Sequence, residues 1–370
     1  MRIENVKLKN YRNYSNAEVE FSDTYNIIYG NNAQGKTNVI EAIFLCASGR
    51  SHRTSRDNEL LKYGCSFFEI KLNYIKEDVN EEIHILYNND ERKKISINEI
   101  PLKKIGGLMG HLNAIMFSPE DLLLIKQGPA ERRRFIDITL SQLRPSYFYD
   151  LQQYAKILFQ RNNLLKNISI NKKLADTLDV WDHHLIKIGS RIMKARKEFI
   201  NRLGILSRIR HARLTNNEEE LELSYDPSFE LKGIDNENEL EEIFRSYIIK
   251  NREKELLKGT TTIGPHRDDI DILLNGESTK IYASQGQQRT SVLSLKLAEI
   301  DLMKDETEEF PVLLLDDVLS ELDDRRKEYL LDNIEGMQTF ITSTEKRFFT
   351  RSTENAGFFI VQSGNIKAEQ

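Results

Sequence analysis

The first hundred residues carry short apolar runs and alternating apolar and polar positions, which predict β-strands. These segments are 3–8, 18–21, 25–29, 67–74, 82–87 and 94–97. The polar run Asn88-Asn89-Asp90 is typical of a turn between two strands. The pattern therefore predicts an antiparallel lobe near the start of the chain.

After Pro129 the apolar spacing changes to three and four, which predicts helices. The predicted helices are 131–143, 147–165, 181–213 and 239–258, with a further one at 292–300. Strand-like runs lie at 221–225 and 259–274. The helices are expected to be short and interrupted, at Pro145 and around 167–171. A mainly helical insertion from about residue 120 to 258 follows from this pattern.

Composition restricts the class of protein further. The chain has 370 residues, a formal net charge of −5 and two cysteines, Cys46 and Cys65. It has no apolar run of 18 residues and no apolar segment of the signal-peptide kind at its start. We therefore expect a soluble, cytoplasmic protein without a membrane span or a disulfide framework. The acidic balance gives no general sign of nucleic-acid binding.

A P-loop follows the strand predicted at 25–29 and precedes a predicted helix at 39–45. Its residues, with the one after them, are Gly30, Asn31, Asn32, Ala33, Gln34, Gly35, Lys36, Thr37 and Asn38. The glycines allow a tight turn whose N–H groups point at phosphate oxygens. Lys36 is expected to reach the β/γ-phosphates and to act in catalysis, and the Thr37 hydroxyl to bind Mg²⁺. The loop therefore predicts an ATP site.

Two acids end a short apolar run at 312–315 far downstream. A run of this kind is typical of a strand buried on both faces of a parallel sheet, and nucleotides bind at the carboxyl ends of such strands. This is a Walker B arrangement, in which Asp316 helps to hold Mg²⁺. Asp317 is then the predicted catalytic residue that orients the attacking water.

A third motif precedes the helix predicted at 292–300. Its string SQGQQR resembles the ABC-type signature, and its candidate residues are Ser284, Gln285, Gly286, Gln287 and Arg289. Serine caps helices well, and glycine lets backbone N–H groups approach phosphate. The run 316–323 resembles Walker B continuing into a D-loop. We therefore predict an α/β fold, an ABC-type P-loop ATPase head with a mixed-sheet lobe, an antiparallel β lobe, a mainly helical inserted domain and no long coiled coil.

The predicted domain organisation has three segments. Residues 1–120 hold the N-terminal part of the ATPase domain with Walker A, and residues 121–258 form the inserted domain. Residues 259–370 hold the C-terminal part, with the signature, Walker B and the D-loop.

Several motifs together resemble the bacterial RecF family, and the match covers essentially the whole chain. They are LKNYRNY at 8–14, the P-loop with Asn38, FSPEDL at 117–122, GP at 128–129 with RRRFID at 132–137, GPHRDD at 264–269, the signature and Walker B. The chain is identified on these residues as similar to the ABC/SMC-like ATPases of recombination.

The resemblance implies an ATP-dependent DNA-binding protein of DNA repair, recombination and replication, including the SOS response to DNA damage. Such proteins act at single-strand gaps and junctions, on single- and double-stranded DNA, with RecR and RecO, to help load recombinase. The resemblance also implies a homodimer with two ATP molecules and Mg²⁺ between the chains. Each ATP then meets the Walker motifs of one chain and the signature of the other. Hydrolysis is expected to be slow and stimulated by DNA.

Three positions depart from the general ABC pattern. The second Walker B acid is Asp317 instead of glutamate, and the shorter side chain fits slow turnover. The switch histidine is replaced by Thr342-Ser343-Thr344, whose hydroxyls can contact a γ-phosphate without acting as a histidine. At the Q-loop position, FSPEDL offers Glu120 instead of glutamine.

A basic stretch lies within the helix predicted at 181–213. Its candidate DNA-binding residues are Lys187, Arg191, Lys194 and Lys197. The stretch allows two interpretations, a phosphate-tracking surface and a solvated helix face. The GPHRDD loop also allows two interpretations, a contact to nucleotide across the dimer and a scaffold for the loop itself. A nucleotide-gated structural or transport ATPase without DNA contact is the competing hypothesis for the whole chain.

Overall fold

The computed structural model of the chain describes residues 1–168, 171–231, 233, 236–344 and 356–369. Contacts divide the chain into two units. The first unit contains Met1–Leu122 and Lys296–Gln370, and the second contains Leu123–Leu295.

One sheet of the first unit is antiparallel and forms the predicted β lobe. Its strands are β1 (Arg2–Tyr11), β2 (Tyr14–Glu20), β4 (Phe67–Lys76), β5 (Val79–Asn88), β6 (Glu91–Ile97) and β7 (Ile100–Pro101). Their order is β2-β1-β4-β5-β6-β7. Alternate residues of β4, including Phe68, Ile70 and Leu72, are fully buried. This alternation is what the sequence pattern predicted for a sheet with one buried face.

The second sheet of the first unit is mostly parallel. Its strands are β3 (Tyr25–Tyr29), β8 (Ala114–Phe117), β12 (Val312–Leu315), β13 (Thr339–Ser343), β14 (Gly357–Gln362) and β15 (Asn365–Glu369). Their order is β15-β14-β3-β13-β12-β8, with only the β14–β15 pair antiparallel. The carboxyl ends of β3, β12 and β13 therefore lie along one edge of the sheet.

Helix α1 (Lys36–Ser48) starts at the end of the P-loop and contacts strands of both sheets. Every residue from Val39 to Ala47 is buried in it, so its buried residues do not follow a single stripe. This pattern is expected for a helix covered on most sides. The unit also contains α9 (Asp324–Asp332), which Asp323 caps by accepting a bond from the Arg326 N–H.

The second unit is mainly helical, with a small sheet. Its helices are α2 (Leu123–Lys126), α3 (Pro129–Leu143), α4 (Pro145–Ile168), α5 (Leu178–Leu214), α6 (Glu237–Lys258) and α7 (Thr279–Tyr282). Helix α8 (Gln285–Thr307) begins in this unit and continues into the first. The small sheet of the second unit consists of three antiparallel strands. They are β9 (Leu221–Asp226), β10 (Asp269–Leu274) and β11 (Glu277–Ser278), in the order β11-β10-β9.

Short 3-10 turns complete the described elements. They cover Asp57–Leu60, Ile105–Leu108, Pro119–Leu122, Lys172–Thr177 and Val318–Glu321. None of the helices in the described ranges has both the length and the apolar character that crossing a bilayer requires.

The structure corrects several expectations about the second unit. Helix α5 has 37 residues, so the expectation of short helices is wrong for it. Within 259–274 only Asp269–Leu274 is a strand, because residues 259–268 form a loop held by hydrogen bonds. The second unit extends to Leu295. The division into three functional segments stays a prediction.

Candidate nucleotide site

The P-loop backbone takes conformations that glycine permits. Gly30 and Gly35 have φ angles of 146° and 118°, which disfavour other residues. A Cβ on Gly30 would lie 2.5 Å from the carbonyl oxygen of Val361. A Cβ on Gly35 would lie equally close, at 2.5 Å, to the side-chain nitrogen of Asn13. The loop therefore needs both glycines, and Gly35 leads directly into the N-terminus of α1.

Lys36 is buried at the start of α1, with its ammonium turned back toward the loop. Its Nζ donates to the carbonyl oxygens of Gly30 at 2.8 Å and Asn31 at 3.1 Å. Burial lowers the pKa of Lys36, while the charges of Asp317 and Asp316 oppose that shift. The side chain thus places a cation between the loop and the two acids.

The P-loop threonine and the first Walker B acid are in direct contact. Thr37 Oγ1 donates to Asp316 Oδ1 at 2.9 Å, although the two residues are far apart in sequence. Thr342, at the carboxyl end of β13, donates its hydroxyl to the same oxygen at 2.7 Å. Burial raises the pKa of Asp316, and the two hydroxyl bonds counteract that rise. The predicted metal ligands Thr37 and Asp316 are therefore brought together.

Asp317 has a left-handed backbone, with φ of 52°. Its N–H donates to Thr342 Oγ1 at 2.9 Å, and its carbonyl accepts from Ser320 Oγ at 2.7 Å. Left-handed non-glycine residues are uncommon and concentrate at functional sites. Thr342 therefore bonds to both Walker B acids, accepting from one and donating to the other.

The donor set fits a magnesium nucleotide. A hydroxyl and a carboxylate are oxygen ligands, which Mg²⁺ prefers, and Mg²⁺ usually keeps waters and phosphate oxygens beside one or two carboxylates. In the described part of the chain no group of three or more His, Cys, Asp or Glu side chains could hold a metal ion. A site with Thr37 and Asp316 as its protein ligands agrees with this coordination preference of Mg²⁺.

The Thr342 hydroxyl offers a test of how the Walker B acids are held. Thr342→Val keeps the shape of the side chain but removes one bond to Asp316 and one to the Asp317 N–H. We expect ATP hydrolysis to fall about tenfold or more, because two bonds worth roughly 1 kcal/mol each orient the acids. Single-turnover hydrolysis assays with wild type and variant measure this.

The matched control for this variant is Thr307→Val. Thr307 lies at the end of α8 and donates its hydroxyl to the Met303 carbonyl at 2.8 Å. We expect its hydrolysis rate to match wild type. A Thr342→Val rate within twofold of wild type would show that the hydroxyl does not position the acids.

The signature segment caps helix α8 in the second unit. Ser284 Oγ accepts from the Gln287 N–H at 3.2 Å, and Gln287 Oε1 accepts from the Ser284 N–H at 2.8 Å. This is a reciprocal capping box. Ser284 and Gln285 are exposed, and Gly286, Gln287 and Arg289 are partly exposed. The helix starts earlier than the predicted residue 292 because this box ends the preceding loop.

The four predicted DNA contacts lie on α5 and differ in their surroundings. Lys187 is exposed. Arg191 forms a two-bond ion pair with Asp150, with Nε donating to Oδ2 at 2.9 Å. Lys194 and Lys197 line a pocket of about 210 Å³. The same basic stretch contains Arg196, but that side chain is buried against Asp137 and Tyr147 and faces inward.

The GPHRDD loop has the contacts of a scaffold. His266 accepts or donates at Nδ1 with the Tyr154 hydroxyl, 2.8 Å away, and burial lowers the pKa of its ring to about 4. Arg132 forms two bonds to Asp269, at 2.6 and 2.7 Å. These contacts favour the scaffold interpretation over a nucleotide contact for this loop.

The Q-loop candidate lies beside Walker B. Strand β8 ends at Phe117, whose carbonyl accepts from the Asp316 N–H at 2.8 Å. Glu120 follows in an exposed turn, and Asp121 folds back to accept from the Ser118 N–H at 2.8 Å. Glu120 therefore lies just beyond the strand next to the acids, and its role stays a prediction.

Known proteins resemble the chain over its whole length. A family model described as the RecF/RecN/SMC N terminal domain matches residues 2–367. The DNA replication and repair protein RecF of Ruminiclostridium cellulolyticum is 52% identical over 368 residues, covering 99% of each chain. RecF of Acetivibrio thermocellus is 55% identical over 358 residues, covering 97% of this chain and 96% of its own.

Solved structures give the same assignment. A structure of the recombination mediator protein RecF with ATP in the RecFOR pathway has a TM-score of 0.94 at 38% identity, covering 100% of this chain and 98% of its own. An Smc head bound to the winged-helix domain of ScpA has a TM-score of 0.56 at 16% identity and shares the fold, covering 100% of this chain and 97% of its own. The predicted ABC-type ATPase head is confirmed. The chain belongs to the RecF family of DNA replication and repair proteins.

Proposed function

We propose that the chain is an ATP-dependent DNA-binding protein of recombinational repair and replication that acts at single-strand gaps. The contact of 2.9 Å between Thr37 Oγ1 and Asp316 Oδ1 carries the ATP part of this proposal, since it joins Walker A to Walker B. Family membership carries the DNA part. The chain is proposed to work in the cytoplasm and within the response to DNA damage.

The nucleotide is proposed to bind along the P-loop, from Gly30 to Asn38. Backbone N–H groups of the loop and the α1 N-terminus attract phosphate oxygens, and Lys36 adds a full positive charge. Thr37 and Asp316 would hold Mg²⁺, which neutralises phosphate charge when bound. Asp317 is proposed to orient the water that attacks the γ-phosphate.

Two features support slow hydrolysis. Aspartate at 317 is one methylene shorter than the glutamate common in ABC-type ATPases. Thr342 replaces a histidine and already uses its hydroxyl on Asp316 and the Asp317 N–H. We propose that a slow, DNA-stimulated ATPase follows, closer to a switch than to a motor.

The signature is proposed to act in trans, on an ATP held by a second copy of the chain. Ser284 and Gln285 are exposed at the N-terminus of α8, where backbone N–H groups favour phosphate. ATP would then favour the homodimer because it contacts both chains only in that state. Hydrolysis removes those contacts and releases the dimer.

The DNA contact is proposed to involve the basic segment of α5, defined as Lys187, Arg191, Lys194 and Lys197. The first three are spaced by four and three residues, so they neighbour each other on the helix surface. Arg191 also pairs with Asp150, and we therefore assign more of the contact to Lys187 and Lys194. RecR and RecO are the proposed protein partners, since the related ATP-bound structure is named for the RecFOR pathway.

The function is tested by DNA binding with and without ATP. We expect the affinity for gapped duplex to rise with ATP–Mg²⁺ and to exceed that for intact duplex. Fluorescence anisotropy at several salt concentrations measures both. Equal, weak binding with and without ATP would support the competing hypothesis of an ATPase without a DNA role.

The basic segment is tested by the double substitution Lys187→Ala and Lys194→Ala. Each lost phosphate contact should reduce the slope of log affinity against log salt by about 0.9, so the pair should reduce it by roughly 1.8. The control pair is Lys156→Ala and Lys258→Ala, which removes two exposed lysines from α4 and α6. A slope equal to that of wild type in both double variants would place the DNA elsewhere.

A further inference from the structure

A P-loop presents its N–H groups to phosphate only while its carbonyl groups point the other way. Those outward carbonyls need partners of their own, because a buried polar group without a hydrogen bond is costly. In this chain the Gln34 carbonyl has partners from outside the P-loop, and the Gly35 carbonyl accepts from the Tyr14 hydroxyl as well as from the Asn38 N–H.

The turn between β1 and β2 provides two of these partners. Asn13 Nδ2 donates to the Gln34 carbonyl at 2.6 Å, and the Tyr14 hydroxyl donates to the Gly35 carbonyl at 3.0 Å. Asn13 Oδ1 accepts from the Asn38 side chain at 2.8 Å. One asparagine side chain thus links the last turn of the P-loop to the first turn of α1.

The turn between β14 and β15 meets the same point from the C-terminal end of the chain. The Ser363 N–H donates to Gln34 Oε1 at 2.6 Å, and the Gly364 N–H donates to the Gln34 carbonyl at 3.2 Å. Gly364 has φ of 72°, and a Cβ there would lie 2.4 Å from the Asn13 carbonyl oxygen. The two turns are therefore packed against each other as well as against Gln34.

The first turn is itself fixed to α1. Arg12 has φ of 54° and donates from Nε to Glu41 Oε2 at 2.8 Å, where Glu41 is a buried residue of α1. Lys62 donates to the Asn13 carbonyl at 3.1 Å. The position of Asn13 is thus set from two sides, so its side chain reaches Gln34 from a fixed base.

We propose that Asn13 and the Gln34 side chain are positioning residues for nucleotide binding. Together with the Gly364 N–H they hold the Gln34 carbonyl outward and keep the loop's N–H groups directed at the phosphates. This role rests on the proposed ATP binding; it adds Asn13, which touches the loop from outside, and it gives the Gln34 side chain a task apart from contact with the nucleotide. It also gives a reason for glutamine at a P-loop position where the phosphate-binding motif accepts any residue.

If these residues position the P-loop, their loss should leave the preference between ATP and ADP unchanged. The P-loop N–H groups cradle the phosphates that ATP and ADP share. A loosened loop should therefore lower the affinities for ATP and ADP by the same factor. A side chain that touched the γ-phosphate directly would affect ATP alone.

The test measures ATP and ADP dissociation constants by isothermal titration for wild type, Asn13→Ala and Gln34→Met. We expect both nucleotides to bind about tenfold more weakly in each variant, which corresponds to the loss of about one well-formed hydrogen bond. The control is Asn73→Ala, which removes an asparagine of β4 that donates to Asn5 at 2.9 Å in the same lobe. Its dissociation constants should match wild type.

The outcomes separate this proposal from the proposed function. Wild-type binding of ATP with unchanged constants in both Asn13→Ala and Gln34→Met would overturn the positioning role and leave the function standing. Loss of ATP affinity alone, with ADP unchanged, would overturn it in favour of a γ-phosphate contact. No ATP binding by wild type would overturn both. Gln34→Met keeps the test valid if Asn13→Ala fails to fold.

Discussion

Replacing Lys36 with alanine is expected to weaken ATP binding by about 100-fold or more. The Lys36 ammonium is the buried cation of the P-loop, within 3.1 Å of two loop carbonyls and close to both Walker B acids. Hydrogen bonds to charged groups contribute roughly 1.5–3 kcal/mol each, and two lost bonds to phosphate exceed a factor of 100. Isothermal titration with ATP–Mg²⁺ measures the loss.

The matched control is Lys71→Ala, which removes a partly exposed lysine from β4 of the same unit. Its ATP affinity should equal that of wild type. An affinity of Lys36→Ala within threefold of wild type would contradict the assignment of 30–37 as the phosphate-binding loop.

The substitution Asp317→Asn is expected to stop hydrolysis while ATP binding persists. The carboxylate is the proposed water-orienting group, and such groups contribute about 10²–10⁴ to the rate. Asparagine has the same shape and tolerates the left-handed backbone found at this position, φ of 52°, so the fold should be kept. Phosphate release and ATP titration on the same preparation separate the two properties.

Asp305→Asn provides the control, since Asp305 is an exposed acid of α8 in the first unit. Its turnover should match wild type. If Asp317→Asn hydrolysed ATP at the wild-type rate, the catalytic role would have to pass to another group at the same sheet edge.

The sequence was enough to predict the motifs whose residues are adjacent in the chain. The P-loop, the strand at 312–315 and its two acids are contiguous, and each has a fixed place at the carboxyl edge of a parallel sheet. The contact between Thr37 and Asp316 follows from that rule without knowledge of the whole fold. The antiparallel lobe was equally visible, because one face of each strand is buried and the apolar pattern alternates.

Contacts that join distant segments were not visible in the same way. The Thr342 hydroxyl bonds to Asp316 and to the Asp317 N–H, and this contact depends on β13 lying beside β12. Asn13 and Ser363 meet at Gln34 only because two hairpin turns from opposite ends of the chain converge there. The available signal for Asn13 was its place in the family-like run LKNYRNY.

Buried polar contacts account for the other differences between the predicted and the observed structure. Residues 259–268 were predicted to continue the strand. In the structure the Thr261 hydroxyl donates to Asn162 and accepts from Arg161, and the Gly264 N–H donates to Ser228. Side-chain partners satisfy this segment, so it needs no neighbouring strand. Arg196 also lies in the basic stretch of α5, and its buried partner Asp137 could be identified only in three dimensions.

We propose above all that ATP joins two copies of the chain through the signature of one and the Walker motifs of the other. Light scattering of wild type, Asp317→Asn and Ser284→Arg, each with and without ATP–Mg²⁺, tests it most directly. We predict that the mass of wild type doubles only with ATP, that the doubled mass lasts longest in Asp317→Asn, and that Ser284→Arg stays monomeric while binding ATP. A monomer in every condition, or an ATP-dependent dimer of Ser284→Arg, would contradict the composite site.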